Sequence, residues 1–313
     1  VMDSHPKAES DPDYLKRYDR AACKAAEQII LNYSTSFSLA SRLLGKRVRE
    51  DISNLYAMVR IADEIVDGTA YQAGMEKSSV EAQLAGYETA VRAAPKQRFN
   101  PDPVLHAYGI SARRCGYKDE YIEAFFASMR RDLHQVNYDP TSFDDYVYGS
   151  AEVIGLLCLQ AFLVGESVST QDRTTMEEGA RALGAAFQKI NFLRDLSEDS
   201  QTLGRCYFPE LSTHSLDETT KLHLINDIRD DLTIARRAIA LLPRSARAGV
   251  IAATNLFSEL TDQLETVPAA DIYRQRVRVP ATTKSKIFSQ AILQATVGDR
   301  SRKNRKKKDY DNE

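Results

Sequence analysis

Acidic side chains four residues apart occur in two stretches of this chain that otherwise read as helix, and any fold must accommodate both. In residues 188–199, Gln188, Asn191, Asp195 and Asp199 step by three and four, so one helix face carries all of them. In residues 55–68, Tyr56, Arg60, Asp63 and Asp67 do the same, and Gly68 supplies a C-terminal stop. Both stretches lack Pro and mix apolar with polar residues at helical spacing. Carboxylates so placed repel one another, so a positive charge should lie between or above each pair. Mg2+ suits carboxylate and amide oxygens and is held by few carboxylates plus substrate phosphates. The plain alternative is a solvated face whose acids pair with Lys189 and Arg194. Two such faces, each with an Arg on or beside it, favour a shared site for divalent ions and a diphosphate.

The rest of the chain also reads as helix. No run alternates with period two, and Pro140, Pro243, Pro268 and Pro280 punctuate helix-like stretches. The spacing predicts helices over 14–31, 37–44, 52–67, 80–94, 119–136, 143–164, 171–199, 216–241, 244–267 and 271–295, another ending at Arg114, and a loop over 69–77. The expected fold is all-α, a single bundle-like domain around a central cavity. Residues 1–12 read as a disordered lead, 13–297 as the domain and 298–313 as a basic disordered tail.

A chain of 313 residues with 43% hydrophobic content can build a sizeable core, and a formal charge of -2 gives no global drive toward nucleic acid. Cys23, Cys115, Cys158 and Cys206 are scattered, which argues against a zinc site or disulfide framework and fits a reducing cytosol. No signal-peptide pattern is evident, and the apolar run from Val153 to Val164 is too short to span a bilayer. The expected location is cytoplasmic. The run from Arg300 to Lys308 reads either as a solvated tail or as a peripheral contact with the anionic inner face of the cell membrane, at about 1 kcal/mol per basic residue. The oligomeric state stays open.

These motifs together resemble the squalene/phytoene synthase family, the head-to-head prenyl synthases, over roughly residues 14–295. The resemblance rests on Tyr56 to Asp67, on Asn191 to Asp199, and on Gly204-Arg205-Cys206-Tyr207-Phe208-Pro209. It rests also on Ser34-Thr35-Ser36-Phe37 and on the stretch from Tyr146 to Gly155. Arg276-Val277-Arg278-Val279-Pro280 before Lys284 leans toward the bacterial phytoene synthases. The resemblance implies an isoprenoid-synthase-type helical bundle, prenyl diphosphate substrates and Mg2+, with Mn2+ as the alternative ion. By this resemblance Asp63, Asp67, Asn191, Asp195 and Asp199 hold the metal, and the four aspartates with Arg60 form the catalytic set. Arg60, Arg194, Arg205, Arg276 and Arg278 face the diphosphate. Ser36, Phe37, Tyr56, Tyr146, Ser150, Ala151, Gln188 and Tyr207 line the cavity, although Ser150 and Ala151 read equally well as small residues for helix packing.

The reaction so implied joins two geranylgeranyl diphosphates through a cyclopropyl diphosphate to phytoene, the first committed step toward carotenoids, without NADPH. It needs a pocket dry enough to keep water from a carbocation, and aromatic faces such as those of Phe37, Tyr56, Tyr146 and Tyr207 can stabilise that cation. The nearest rivals are dehydrosqualene and squalene synthases, which use fifteen-carbon substrates; squalene formation also needs NADPH. A more distant rival is a non-catalytic helical assembly factor of the same fold. Head-to-tail elongating enzymes usually carry D-D-x-x-D, whereas this chain has Asp63-Glu64-Ile65-Val66-Asp67.

Overall fold

Side-chain caps mark where several helices begin in the computed structural model, which describes residues 13–198, 205–211, 214–274 and 276–310, with side chains to residue 296 except at 198. Asp13 opens α1 (Tyr14–Tyr33) by accepting from the Lys16 N–H, and Ser34 opens α2 (Thr35–Ser41) by accepting from the Phe37 N–H. α3 (Lys46–Val66), the short α4 (Thr69–Gln72) and α5 (Lys77–Ala93) follow. Asp102 caps α6 (Pro103–Cys115), with Pro103 at its first turn, where no N–H is needed. After α7 (Asp119–Asp132), Asp139 and Ser142 close a capping box on α8 (Pro140–Val147). A π turn, Tyr148–Glu152, joins α8 to α9 (Val153–Phe162). Ser169 caps α10 (Thr170–Arg194), which a single turn, α11 (Leu196–Glu198), succeeds. Asp217 caps α12 (Glu218–Ile239), and α13 (Arg244–Thr266), α14 (Ala269–Ile272) and α15 (Ala281–Tyr310) complete the chain.

The architecture is all-α, as expected. No strand forms among the described residues; Asn137 and Cys206 make an isolated parallel bridge. α10 packs on α12, α1 packs on α3 and α6, and α13 packs on α12 and α15. One apolar cluster gathers around Phe125, Leu157 and Leu55 in the first half, and another around Ile190, Ile228 and Phe208 in the second. Glycines let the middle helices meet: a Cβ on Gly155 would stand 2.2 Å from Ala180 O, and one on Gly184 would stand 2.4 Å from Ala151 O.

Four expected elements differ. The helix over 171–199 stops at Arg194, with Asp195 as its cap, and the single turn α11 follows. The helix over 271–295 is broken between α14 and α15, where Pro280 has no N–H to donate and biases Val279 toward extended backbone. The π turn interrupts the helix over 143–164. Residues 69–72 form a helical turn instead of loop. The backbone of α15 is helical to Tyr310, within the segment read from sequence as a tail. Among the described residues, no helix is long and apolar enough to cross a membrane.

Candidate active site

The two acidic motifs end their helices alike. Asp67 caps α3 at φ −99°, ψ 15°, and Asp195 caps α10 at φ −99°, ψ 9°. Their N–H groups donate back to Asp63 O and Asn191 O, both at 2.8 Å. A carboxylate at a helix C-terminus faces the negative end of the dipole, so each calls for a cation. Asp195 has two: Arg194 Nε donates to Oδ1 at 2.8 Å, and Arg276 donates from Nε to Oδ1 at 2.9 Å and from Nη2 to Oδ2 at 3.2 Å. Asp67 Oδ1 accepts from Arg205 Nη1 at 2.8 Å. Asp63 is less well served. Arg60 Nη1 stands 4.0 Å from its Oδ2, and burial, with Asp67 beside it, pushes its carboxyl well above the usual range. Arg60 pairs instead with Glu64 and lies over the Tyr33 ring at 4.4 Å from the centroid.

Both helix ends open on one cavity of about 950 Å3. Its wall changes character along α10, from Asp195, Asn191 and Gln188 through Phe187 and Leu183 to Met176. From Asp195 to Met176 the helix advances roughly 28 Å at 1.5 Å per residue. Of the residues singled out in the sequence, Ser36, Phe37, Tyr56, Tyr146, Ser150, Ala151, Gln188 and Tyr207 lie on this wall, as do Arg60, Arg194, Arg276 and Arg278. Phe37 packs against Phe187 and Phe257, whose rings stack at 3.9 Å between centroids. Asp199 lies outside the described residues.

Arg205 is placed differently from a diphosphate contact. It is buried and off the cavity wall. Its Nη1 donates to Asp67 and, at 3.2 Å, to the Tyr207 hydroxyl; its Nη2 donates to Val66 O at 3.1 Å and to Asp132 O at 3.0 Å. The guanidinium thus straps the end of α3 to the end of α7 and reaches the cavity through Asp67.

Asp132 is the site residue that sequence reasoning passed over. It is 8% exposed, lines the cavity at the end of α7, and accepts the Tyr146 O–H on Oδ2 at 2.9 Å. Burial raises its carboxyl to about 7, with Arg205 pulling it down and Asp67 pushing it up. Burial, with Asp132 next to it, likewise drives the Tyr146 phenol up. The run Arg130-Arg131-Asp132 looks solvated, yet Phe125, Met129 and Asp132 share one face of α7, and that periodicity was the available signal. Lys284 was passed over too; it lines the cavity, and its Nζ donates to Thr35 Oγ1 at 3.2 Å.

The donor set suits a hard cation. Among the described residues no three acidic, His or Cys side chains close into a ready-made cage. Mg2+ typically takes one or two carboxylates and completes its shell with water and substrate phosphate. The poorly compensated Asp63 beside Asp67, and the Asn191 amide one turn before Asp195, fit that mode.

A family model described as squalene/phytoene synthase matches residues 30–283. The chain is 29% identical over 300 residues to a 15-cis-phytoene synthase of Synechococcus elongatus, covering 88% of this chain and 94% of that protein. It is 27% identical over 328 residues to a bifunctional lycopene cyclase/phytoene synthase of Phycomyces blakesleeanus, covering 89% of this chain and 52% of the relative. A 15-cis-phytoene synthase of Enterobacter agglomerans is 30% identical over 182 residues, covering 56% of this chain and 58% of that protein, so this match and the preceding one each span little more than half of the relative. A solved dehydrosqualene synthase in complex with a ligand shares the fold, with a TM-score of 0.71 at 19% identity over 90% of this chain and 99% of that one. A match that runs from the last turn of α1 into α15 and takes in both acidic helices makes this chain a member of the squalene/phytoene synthase family.

Proposed function

We propose that this protein condenses two geranylgeranyl diphosphates head to head, through a cyclopropyl diphosphate, to phytoene, the entry to carotenoids. The observation that carries the reading is the opening of two carboxylate-bearing helix ends onto one long apolar cavity, whose volume of about 950 Å3 is large for a small-molecule site. Mg2+ held by Asp63 and Asp67 on one side and Asn191, Asp195 and Asp199 on the other would neutralise charge on the departing diphosphate. Arg60, Arg194, Arg276 and Arg278 offer that diphosphate charge-assisted hydrogen bonds. Arg205 serves indirectly, by holding Asp67. Along the cavity, Phe187, Leu183 and Met176 keep water from the cation, while Phe37 and Tyr56 turn aromatic faces to it. The roughly 28 Å of α10 between Asp195 and Met176 exceeds an extended geranylgeranyl chain, about 20 Å for sixteen main-chain carbons joined by bonds of about 1.5 Å.

Twenty-carbon substrates are favoured because the curated relatives are named phytoene synthases. The second reading, dehydrosqualene or squalene formation, is kept because the solved neighbours carry those names. The test offers geranylgeranyl and farnesyl diphosphate separately to purified protein with Mg2+, each with and without NADPH. A forty-carbon hydrocarbon without NADPH is the expected result. A thirty-carbon product from farnesyl diphosphate alone moves the assignment to dehydrosqualene, and a requirement for NADPH moves it to squalene. No hydrocarbon from either substrate overturns both readings.

A further inference from the structure

We infer that Leu44 and Gly249 set the length of prenyl chain that the inner end of the cavity accepts, Leu44 as a movable stop and Gly249 as the residue that lets it stand aside. The inference rests on the condensation just proposed and names the residues that hold the choice between twenty- and fifteen-carbon chains.

Three segments carry the wall inward from the charged rim. α10 descends from Asn191 to Met176, an advance of roughly 22 Å at 1.5 Å per residue. α13 descends from Phe257, whose ring packs against Phe37, to Gly249, and α2 descends from Phe37 toward Leu44, just past its end. Leu44 packs on the apolar cluster that holds Met176, Ile239 and Val250, so the three descents meet at one end. An extended prenyl chain advances about 5 Å per isoprene unit, at about 1.25 Å for each of four main-chain carbons. With its first carbon level with Asn191, a farnesyl chain stops about 7 Å short of Met176, whereas a geranylgeranyl chain ends about 2 Å from that level. The fourth isoprene unit is therefore the one that meets Leu44.

At Gly249 the two segments already touch. A Cβ there would stand 2.4 Å from Leu44 Cδ2, 2.8 Å from Leu44 Cγ and 3.1 Å from Ala40 O. The backbones have little freedom to part. The Gly45 N–H donates to Ser245 O at 2.7 Å, which ties the end of α2 to the first turn of α13, and the Leu44 N–H donates to Ser41 O at 3.0 Å. The Leu44 side chain must yield instead. One flank of it is the packed cluster, and a filled core takes added bulk only with strain. The open direction is the cavity that Leu44 already lines. A methyl at Gly249 thus drives Leu44 into the place of the fourth isoprene unit and leaves room for the first three. Asp63, Asp67, Asn191 and Asp195 stand at the other end of the cavity, so the change acts on how far a chain enters and not on the diphosphate.

The test measures binding and product with the full chain and Mg2+. Dissociation constants for the unreactive S-thiolodiphosphate analogues of geranylgeranyl and farnesyl diphosphate are taken by calorimetry, and both diphosphates are offered together in a product assay. Gly249→Ala should weaken the geranylgeranyl analogue about 10-fold or more relative to the farnesyl one, the worth of a methylene misfit in an apolar pocket, and should shift product from forty toward thirty carbons. Leu44→Phe, which enlarges the stop itself, should do the same and carries the test if Gly249→Ala folds poorly. Adding Leu44→Ala to Gly249→Ala should return the ratio to that of the unaltered protein. An unchanged ratio in a folded single variant overturns the inference, as does an equal loss for both chains, which a purely structural role would give. A double variant that keeps the altered ratio also overturns it, because Leu44 would not be the part that moves. If the unaltered protein makes no forty-carbon product, the choice of geranylgeranyl diphosphate above fails by itself, and the binding ratios still decide for or against Leu44 and Gly249.

Discussion

Asp132→Asn should stabilise the protein by an amount that grows with pH. In the unfolded chain this carboxyl titrates near its ordinary 3.8, whereas burial raises it to about 7 in the fold. Between those values the native state holds a proton that the unfolded state has released, so stability falls as pH rises and levels off above about pH 7. The slope for this one group is at most about 1.4 kcal/mol per pH unit and lessens toward pH 7, which gives about 2.3 kcal/mol between pH 5 and pH 7. Asn has no charge to bury and lacks that slope. Urea unfolding of both proteins in magnesium-free buffer at several pH values from 5 to 7 gives the comparison; distant groups common to both cancel in the difference, while Asp63, whose carboxyl the Asp132 charge helps push up, adds to it in the same direction. The advantage of the variant should widen steadily with pH. Parallel curves, or an advantage that shrinks with pH, would refute the claim that an ionised Asp132 is held against its burial.

Four more outcomes follow from the geometry. Asp67→Ala and Asp195→Ala should each abolish turnover with the helical circular dichroism spectrum unchanged; full activity in either removes the metal-site assignment. Arg205→Met should lower unfolding stability by about 1–3 kcal/mol, because it takes the donor from the buried Val66 and Asp132 carbonyls, while Asp67, 41% exposed, can turn to water; a rise in substrate KM with no loss of stability would restore Arg205 as a direct diphosphate contact. Gly155→Val should cost about 1–3 kcal/mol in urea unfolding, since its Cβ would meet the Ala180 carbonyl oxygen at 2.2 Å; an unchanged midpoint would show that α9 and α10 can part. Deleting residues 300–313 should weaken binding to anionic vesicles in a flotation assay and spare the chemistry; unchanged binding would end the membrane role of that segment.

The all-α class was legible because apolar residues recur at helical spacing throughout, and both acidic faces were legible for the same reason. What the spacing did not carry was where each face ends. Asp195 looks like a mid-helix position in sequence but stands at a helix terminus, as Asp67 does at the stop that Gly68 marks, and there dipole and side-chain charge oppose one another. Arg205 lies beside a motif that suggests a phosphate contact. Its acidic partner Asp67 is 138 positions away, a distance no local pattern spans. The π turn was hidden because it depends on a neighbouring helix: a Cβ on Gly149 would strike Ser128 Oγ at 2.1 Å and Ala124 O at 2.5 Å. Asp132 was masked by two arginines, although its place on the face of Phe125 and Met129 pointed inward.

The π turn also fixes the phase of everything after it. At Tyr148–Glu152 the Val153 N–H reaches the Tyr148 carbonyl, one residue farther back than in an α-helix. Deleting one residue there would let α8 and α9 run on as a regular helix. Winding the same residues as α-helix with none deleted would instead rotate the downstream segment by about 100°, carrying Ile154, Cys158 and Phe162 off the cavity wall. A change that straightened the turn, whose Gly149 lies against Ser128 and Ala124 and off the cavity, would therefore repaint that wall without substituting any residue on it.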